Sequence, residues 1–290
     1  MVTGNAAART AVGPTAIVAI DQHEEVPLVR DKLACRLLPA SGRVIAALTS
    51  LYPLRKWMID VAERKMPGLW ASMLCRKRYI DDQLRAAAGD GLDAVVVLGA
   101  GFDTRAHRLP FLDGTPFYEV DLPENIARKR AALQKLYGKV PDQVTLVPLD
   151  FESQDLAGAL AERGWDAGQR TFFVWEAVTQ YLTEAAVRRT FDFLETARTG
   201  SRLVFTYVRK DFLDGREMYG AEAAHREYVA DSELWRFGWE PEEVAGFLAE
   251  YGWRQVEQVG PPQFAERYLV PHGRKLGASE VERSVLAEKA

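Results

Sequence analysis

A pair of glycines directly after an apolar stretch is the part of the chain best suited to hold a ligand. Ala94-Val-Val-Val-Leu98 is unbroken and apolar, and Gly99, Ala100 and Gly101 follow it. A short β-branched run of this kind is typical of a strand buried on both faces. Glycines at its end let the backbone turn tightly and approach a ligand closely. The pattern predicts a nucleotide-sized ligand at a strand end.

The spacing around these glycines narrows the ligand. Position 104, where a dinucleotide fingerprint has its third glycine, is a threonine. That glycine allows close packing around a pyrophosphate, so its absence disfavours a nicotinamide cofactor. Asp121 lies 20 residues after Gly101, a spacing typical of a carboxylate that binds ribose hydroxyls. S-adenosylmethionine has a ribose but no phosphate, and its amino-acid end needs partners for an ammonium and a carboxylate.

Bulk composition excludes several classes of protein. The chain has 290 residues, a net charge of −4, 48% hydrophobic and 27% charged residues. These values are typical of a globular protein and disfavour nucleic-acid binding through phosphate neutralisation. Cys35 and Cys75 show no metal spacing, so we expect no metal site and a reducing, cytoplasmic setting. No apolar stretch approaches the roughly 20 residues that span a bilayer, and we expect no membrane partner.

The elements that would position these residues form an alternating pattern. Strands are predicted over 94–98, 116–120, 144–149, 171–174 and 201–208, with helices over 73–88, 123–137, 155–163 and 186–198. Such alternation indicates an α/β fold with a mostly parallel sheet and helices on both faces. Acidic residues then end strands two, three and four on the carboxyl edge, where such sheets bind ligands. They are Asp121, Asp150 and Glu176.

One domain is expected, with five parts. These are a flexible tail at 1–14, a helical cap at 15–92, a core at 93–208, a lid insertion at 209–240, and a C-terminal helix, strand and tail at 241–290. The last strand is predicted over 253–259, antiparallel, and a charged tail with helical character over 275–289.

Longer motifs carry a resemblance to a known family. Val96-Val-Leu-Gly-Ala-Gly-Phe-Asp-Thr-Arg-Ala-His-Arg-Leu109 resembles the signature of the leucine carboxyl methyltransferases, including bacterial and polyketide-pathway members. Four other motifs agree in order: Arg76-Lys-Arg-Tyr-Ile-Asp-Asp82, Phe117-Tyr-Glu-Val-Asp-Leu-Pro123, Pro148-Leu-Asp-Phe151 and Phe173-Val-Trp-Glu-Ala-Val-Thr-Gln-Tyr-Leu182. The resemblance covers about residues 70 to 260. The segment 17–24 departs from bacterial relatives, which leaves its substrate contacts open.

The resemblance implies a Rossmann-like class I methyltransferase fold, S-adenosyl-L-methionine as cofactor and a role for each motif. Arg76 would meet the methionine carboxylate, Gly99 would line the methionine part, and Glu176 would lie near the ammonium. Asp121 would hold the ribose. Asp150 and Phe151 would face the adenine. Their neighbours Ala100, Gly101 and Leu122 complete the predicted cofactor site.

The expected reaction is O-methylation, most directly of a carboxylate on a small metabolite or a peptide C-terminus. A carboxylate with a reference pKa of about 4 is ionised at neutral pH and needs no general base. Tyr181 is the candidate residue for orienting the acceptor carboxylate. The alternative is that its ring only packs in the fold. Arg78 is a second candidate for contacting the substrate; the alternative is that it lies on a solvent-exposed helix face.

Three alternatives stay open from the sequence. A phenol or hydroxyl acceptor in natural-product tailoring would profit from a base. A non-catalytic module could hold S-adenosylmethionine as a regulatory ligand, and a nicotinamide dehydrogenase is the most distant alternative. The acceptor and the oligomeric state are not encoded in any motif, and the closing stretch 267–274 is similar to members active in secondary metabolism.

Overall fold

A single seven-stranded sheet organises the chain, and its strand order decides where the polypeptide leaves it. The structure, a computed structural model, describes residues 12–290. The strands are β1 Ala94–Leu98, β2 Phe117–Asp121, β3 Val144–Pro148, β4 Thr171–Trp175, β5 Arg202–Val208, β6 Trp253–Val259 and β7 Glu282–Lys289. They lie in the order β3-β2-β1-β4-β5-β7-β6. Strands β1 to β5 pair in parallel, and β7 runs antiparallel between β5 and β6.

The parallel half of the sheet matches the prediction closely. β1 pairs with β2 on one side and β4 on the other, with Val97 opposite Glu119 and Val174. Every residue of β1, β2 and β4 is buried, because helices cover both faces. The strand order reverses at β1: β2 and β3 are added on one side of it, and β4 and β5 on the other. Open α/β sheets bind their ligands at such a switch point, and the predicted Rossmann-like fold is confirmed.

Helices cover the two faces and the carboxyl edge. They are α1 Val12–Asp21, α2 Ala34–Leu37, α3 Ala40–Leu48, α4 Tyr52–Lys65, α5 Leu69–Gly89, α6 Arg105–Arg108, α7 Pro123–Tyr137, α8 Leu156–Ala161, α9 Glu184–Glu195, α10 Lys210–Leu213, α11 Glu222–His225, α12 Val244–Glu250 and α13 Pro261–Phe264. None of the helices within residues 12–290 is long and apolar enough to cross a membrane.

Local sequence chemistry sets several helix ends. The Asp155 carboxylate accepts hydrogen bonds from the backbone of Ala157 and Gly158 at the start of α8. The Thr183 hydroxyl accepts one from Ala186 at the start of α9, as expected of an N-cap residue. Gly138 ends α7 in the left-handed conformation at φ 80°.

Two hydrophobic layers enclose the sheet. On one face the apolar side of α5, with Leu74, Tyr79 and Leu84 fully buried, packs against β4 and β5. The other face is aromatic, and Phe173, Phe191 and Trp253 lie within it. Burial of side chains this large is the dominant stabilising term and holds the strand ends in place.

Two predictions about the chain ends were wrong. Residues 275–289 do not form a charged helical tail, because 282–289 are strand β7 in the middle of the antiparallel half. Residues 12–14, assigned to a flexible tail, belong to α1, while the rest of that predicted tail lies outside the described residues. The apolar stretch 15–20 is the buried part of the same helix.

Candidate active site

A cavity of about 810 Å³ opens at the carboxyl ends of the parallel strands. It lies between the ends of β1, β2 and β4, the helices of the first ninety residues and the segment after β5. Ten of the eleven residues predicted from the sequence line it: Arg76, Gly99, Ala100, Gly101, Asp121, Leu122, Asp150, Phe151, Glu176 and Tyr181. Arg78 is the exception among them.

The glycine turn after β1 forms the floor of the cavity. Gly99 has φ 76° and Gly101 φ 47°, in the left-handed region that favours glycine. A Cβ on Gly99 would lie 2.2 Å from Cγ2 of Val178, a side chain that follows β4. The glycine therefore allows two strand-end segments to approach each other directly beside the ligand space.

Asp121, at the end of β2, is bound to this turn. Its Oδ2 accepts a hydrogen bond of 2.6 Å from the Gly101 amide. Its Oδ1 accepts bonds from the Leu122 amide at 2.7 Å and from Nδ2 of Asn125 at 2.8 Å. Burial raises the pKa of the Asp121 carboxyl, and these donors act against that rise. The carboxylate both shapes the turn and faces the cavity.

Asp150 and Phe151 occupy the turn after β3. The Asp150 carboxylate accepts bonds from the Glu152 amide at 2.9 Å and the Ser153 hydroxyl at 3.2 Å. The ring of Phe151 is buried on the wall of the cavity. The pair thus offers an apolar surface next to a hydrogen-bond acceptor.

Glu176, after β4, lies among three cations. Its Oε1 contacts Nε of Arg76 at 3.0 Å and Nζ of Lys77 at 3.1 Å, and its Oε2 contacts Nη2 of Arg105 at 2.9 Å. Burial opposes ionisation, but Lys77, Arg105 and Arg76 together outweigh it and hold the pKa of Glu176 well below its usual range. Glu176 is therefore a fixed negative charge in the cavity wall.

Arg76 joins Glu176 to a second carboxylate from the end of the chain. Its Nη1 lies 2.8 Å from Oε2 of Glu282, at the start of β7. The Arg76 side chain is only 4% exposed. Because Nε and Nη1 serve these acids, Nη2 is the donor through which Arg76 could also reach a ligand.

The structure does not bring Arg78 to this site. Arg78 pairs with Asp82 one turn further along α5, and its side chain is 40% exposed. It lies two positions after Arg76, on the other side of the helix, so the solvated-face interpretation is the one that the structure favours.

Arg76, Lys77, Arg105, Glu176 and Glu282 form one charge cluster. Two of its members, Lys77 and Glu282, were not predicted from the sequence. Lys77 lies between Arg76 and Arg78, the two residues of this basic run whose roles are predicted from the sequence. Glu282 stood in a segment interpreted as a tail. Met73 and Lys77 are four residues apart and both lie on the cavity side of α5. This helical spacing is the sequence signal from which Lys77 could have been predicted.

Asp103 and Arg105 bind each other just after the glycine turn. The Asp103 carboxylate accepts a bond from the Arg105 amide at 2.7 Å and pairs with the Arg105 guanidinium. Arg105 also contacts Asp81 at 2.9 Å and is almost entirely buried. It anchors Glu176 from behind rather than facing the cavity.

The segment after β5 covers the cavity from the other side. Nζ of Lys65, at the end of α4, donates to the Tyr228 hydroxyl and contacts Glu227, both at 2.7 Å. The Arg236 amide donates to the Gln180 carbonyl at 2.7 Å. These contacts connect the segment to the helical cap and to the turn after β4, and Tyr228, Trp235 and Arg236 line the enclosed space.

Fold and site together define the class of protein. A sheet of order β3-β2-β1-β4-β5-β7-β6 with antiparallel β7, a glycine turn after β1 and an acid after β2 is the Rossmann-like methyltransferase arrangement.

Comparison with known proteins identifies the family. Residues 11–195, more than half of the chain, match the leucine carboxyl methyltransferase family. The chain therefore belongs to this family of S-adenosylmethionine-dependent methyltransferases. A protein of Mycolicibacterium paratuberculosis is 30% identical over 95% of this chain and 93% of its own length, and one of Frankia alni is 31% identical over 84% and 82%. Both carry the name of a proposed S-adenosyl-L-methionine-dependent methyltransferase.

Solved structures share the fold at low sequence identity. A DUF574 family protein of Streptomyces avermitilis superposes with a TM-score of 0.58 at 15% identity, covering 94% of this chain and 97% of its own. A protein of Thermobifida fusca, described as a proposed methyltransferase, gives 0.57 at 16% identity, covering 88% and 92%.

Proposed function

We propose that the protein is an S-adenosylmethionine-dependent O-methyltransferase that methylates a carboxylate, on a small metabolite or a peptide C-terminus. The observation that carries the cofactor assignment is the separation of two kinds of site along one sheet edge. Charged partners for an amino acid lie after β4, around Glu176, and partners for a nucleoside lie after β2 and β3. Because β1 lies between β2 and β4, these sites are about 10 Å apart.

Each part of the cofactor has a counterpart in this arrangement. The Asp121 carboxylate would accept from the ribose hydroxyls, and Phe151 with Asp150 would meet the adenine. Glu176 would receive the methionine ammonium. Arg76 and Lys77 would meet the methionine carboxylate, and Gly99 would leave room for the chain between them. The sulfonium would then point its methyl group away from the sheet, toward the cap and the covering segment.

The reaction needs alignment rather than proton transfer. A carboxylate oxygen attacks the methyl carbon in line, the carbon–sulfur bond breaks, and its electron pair stays on sulfur as a neutral thioether. The acceptor is ionised at neutral pH, so the protein must hold it in line with the methyl group and exclude water. Tyr181 lines the cavity on the turn after β4, and its proposed role is to orient the acceptor.

The charge pattern of the cavity supports a carboxylate over a phenol. No histidine stands among the described residues that line it. Near the amino-acid end, Glu282 is paired with Arg76, and Glu176 is a weak base because the neighbouring cations hold its pKa well below its usual range. A phenol would find no ready base there, whereas a carboxylic acid needs none. A cytoplasmic location and a role in secondary metabolism stay predictions.

Turnover of labelled cofactor tests this function. The full chain is incubated with S-adenosylmethionine and a panel of carboxylic acids and phenols, and release of S-adenosylhomocysteine is measured together with the methylated product. We expect release only with carboxylic acids. Release only with phenols would contradict the acceptor assignment, and tight cofactor binding without any turnover would instead support a binding module.

A further inference from the structure

The part of the cavity beyond the charge cluster has a different chemical character. On α5 the cavity-facing positions are Leu69, Met73, Arg76 and Lys77, spaced by three and four residues along one face. At a rise of 1.5 Å per residue, Leu69 lies about 10 Å along the helix from Arg76. The helix therefore runs from the cofactor's amino-acid end into a second compartment, here called the acceptor compartment.

Apolar side chains form most of the walls of this compartment. Met66 and Leu69 come from the cap, and Val208 and Val281 from the ends of β5 and the segment before β7. The covering segment contributes Tyr228 and Trp235, whose rings are stacked at 4.7 Å between centroids and inclined by 23°. Flat aromatic rings opposite flexible methionine and leucine side chains are suited to an apolar body.

Lys65 and Arg236, two cationic residues of the compartment, already bind other groups of the protein. Lys65 donates to the Tyr228 hydroxyl and pairs with Glu227, and its ammonium lies 4.4 Å from the Tyr228 ring centre. The Arg236 Nε donates to the Glu233 carbonyl at 3.2 Å. Two buried atoms on the cavity wall, Nε1 of Trp235 and Oε1 of Gln180, have no hydrogen-bond partner among the described residues. One donor and one acceptor are too few for the several amides of an entering peptide.

We propose that the acceptor is a small carboxylic acid with an apolar aromatic or branched aliphatic body, and not a peptide C-terminus. This inference rests on the proposed function and selects between its two acceptor classes. An entering peptide would bring several N–H and C=O groups out of water, and those left unpaired against Met66, Leu69 and Val281 would be costly. An apolar body has no such groups, and its burial is favourable.

The experiment compares matched acceptors with the full chain and S-adenosylmethionine. Phenylpropionate and isocaproate are set against N-acetyl-Ala-Ala-Leu, and kcat/KM is measured from S-adenosylhomocysteine release. We expect at least a tenfold higher kcat/KM for the two apolar acids, since unpaired peptide groups weaken binding on that scale. Equal or better turnover of the peptide would overturn the inference and leave carboxyl methylation standing. Turnover of no acid at all, with the cofactor still bound, would overturn both.

Variants locate the effect in the acceptor compartment. Trp235→Ala should raise the Michaelis constant for phenylpropionate about tenfold while S-adenosylhomocysteine binds as before. Trp57→Ala is the matched control, because Trp57 is 59% exposed on α4 and does not line the cavity. Met73→Gln is a second wall variant with the same expected direction, which keeps the test valid if Trp235→Ala does not fold. Unchanged Michaelis constants in both wall variants would overturn the inference.

Discussion

Arg76 stabilises the fold as well as facing the ligand space. It joins Glu176 after β4 to Glu282 on β7, and both partners are largely buried. Removing one partner of a buried ion pair leaves uncompensated charge, which is far more costly than losing an exposed pair. The contribution of such a residue to cofactor binding can therefore be measured only beside its contribution to stability.

We expect Arg76→Ala to lower the free energy of unfolding by about 3–5 kcal/mol, because Glu176 and Glu282 would lose their shared partner. Arg78→Ala, two positions along the same helix, should change it by less than about 1 kcal/mol, since its pair with Asp82 is exposed. Urea unfolding of the two variants checks this. Equal losses would show that Arg76 is not the structural centre of the cluster.

Sequence chemistry found most site residues but not all of their partners. Asp121 could be found because a ribose-binding acid has a typical distance from the glycine turn. Lys77 and Glu282 could not be found in the same way, because their roles depend on contacts across 99 residues to Glu176 and across 206 residues to Arg76. Spacing along the chain does not encode pairings of that range.

At the scale of elements, the turn after β1 depends on glycine for two separable reasons. Gly99 has a positive φ, and a Cβ there would also meet Val178. Gly114 has a similar φ of 81°, but no atom lies within 4 Å of a Cβ built on it. The two positions therefore separate backbone strain from crowding.

We expect Gly114→Ala to cost about 1 kcal/mol of stability, the scale of placing a side chain in the left-handed region. Gly99→Ala should cost more, and it should also weaken S-adenosylhomocysteine binding at least tenfold, because Val178 must move into the ligand space. Thermal unfolding and calorimetric titration of both variants are the measurements. Undiminished binding by the Gly99 variant would separate this turn from the cofactor site.

β1 and β4 could be predicted because each is a short, mostly apolar run buried on both faces. β7 could not, since Glu282-Arg-Ser-Val-Leu-Ala-Glu-Lys289 has only three consecutive apolar residues between charged ends. β7 is paired with β5 on one side and β6 on the other, and this central position in the sheet is not visible in the local sequence pattern.

For the whole molecule, pH dependence of stability should follow from a half-buried histidine. His107 on α6 packs on the Tyr137 ring, and its Nε2 is buried without a hydrogen-bond partner among the described residues. Burial, aided by the charge of Lys129, lowers the pKa of His107 from 6.5 to about 4. Between those values the unfolded chain binds a proton that the folded protein does not, so stability falls as the pH is lowered from 6.5 toward 4.

We expect His107→Gln to reduce the loss of unfolding free energy between pH 7 and pH 5, measured by urea denaturation at both values. His272→Gln is the matched control and should leave that loss in place. Buried acids whose pKa is raised, such as Glu282 and Asp121, act in the opposite direction and are common to all three proteins. An identical pH response in the His107 variant would contradict the assignment.

The position of β7 also has a consequence for biosynthesis. Its backbone completes the sheet between β5 and β6, and its first residue brings a carboxylate to Arg76. A ribosome translating this chain would therefore synthesise β1 to β5, which carry the turns of the cofactor site, before β7 emerged from the exit tunnel. Until then β5 has an unpaired edge, and such edges promote aggregation in nascent chains. Competence for ligand binding should thus arise only after β7 has been synthesised, rather than progressively as each strand of the parallel half appears.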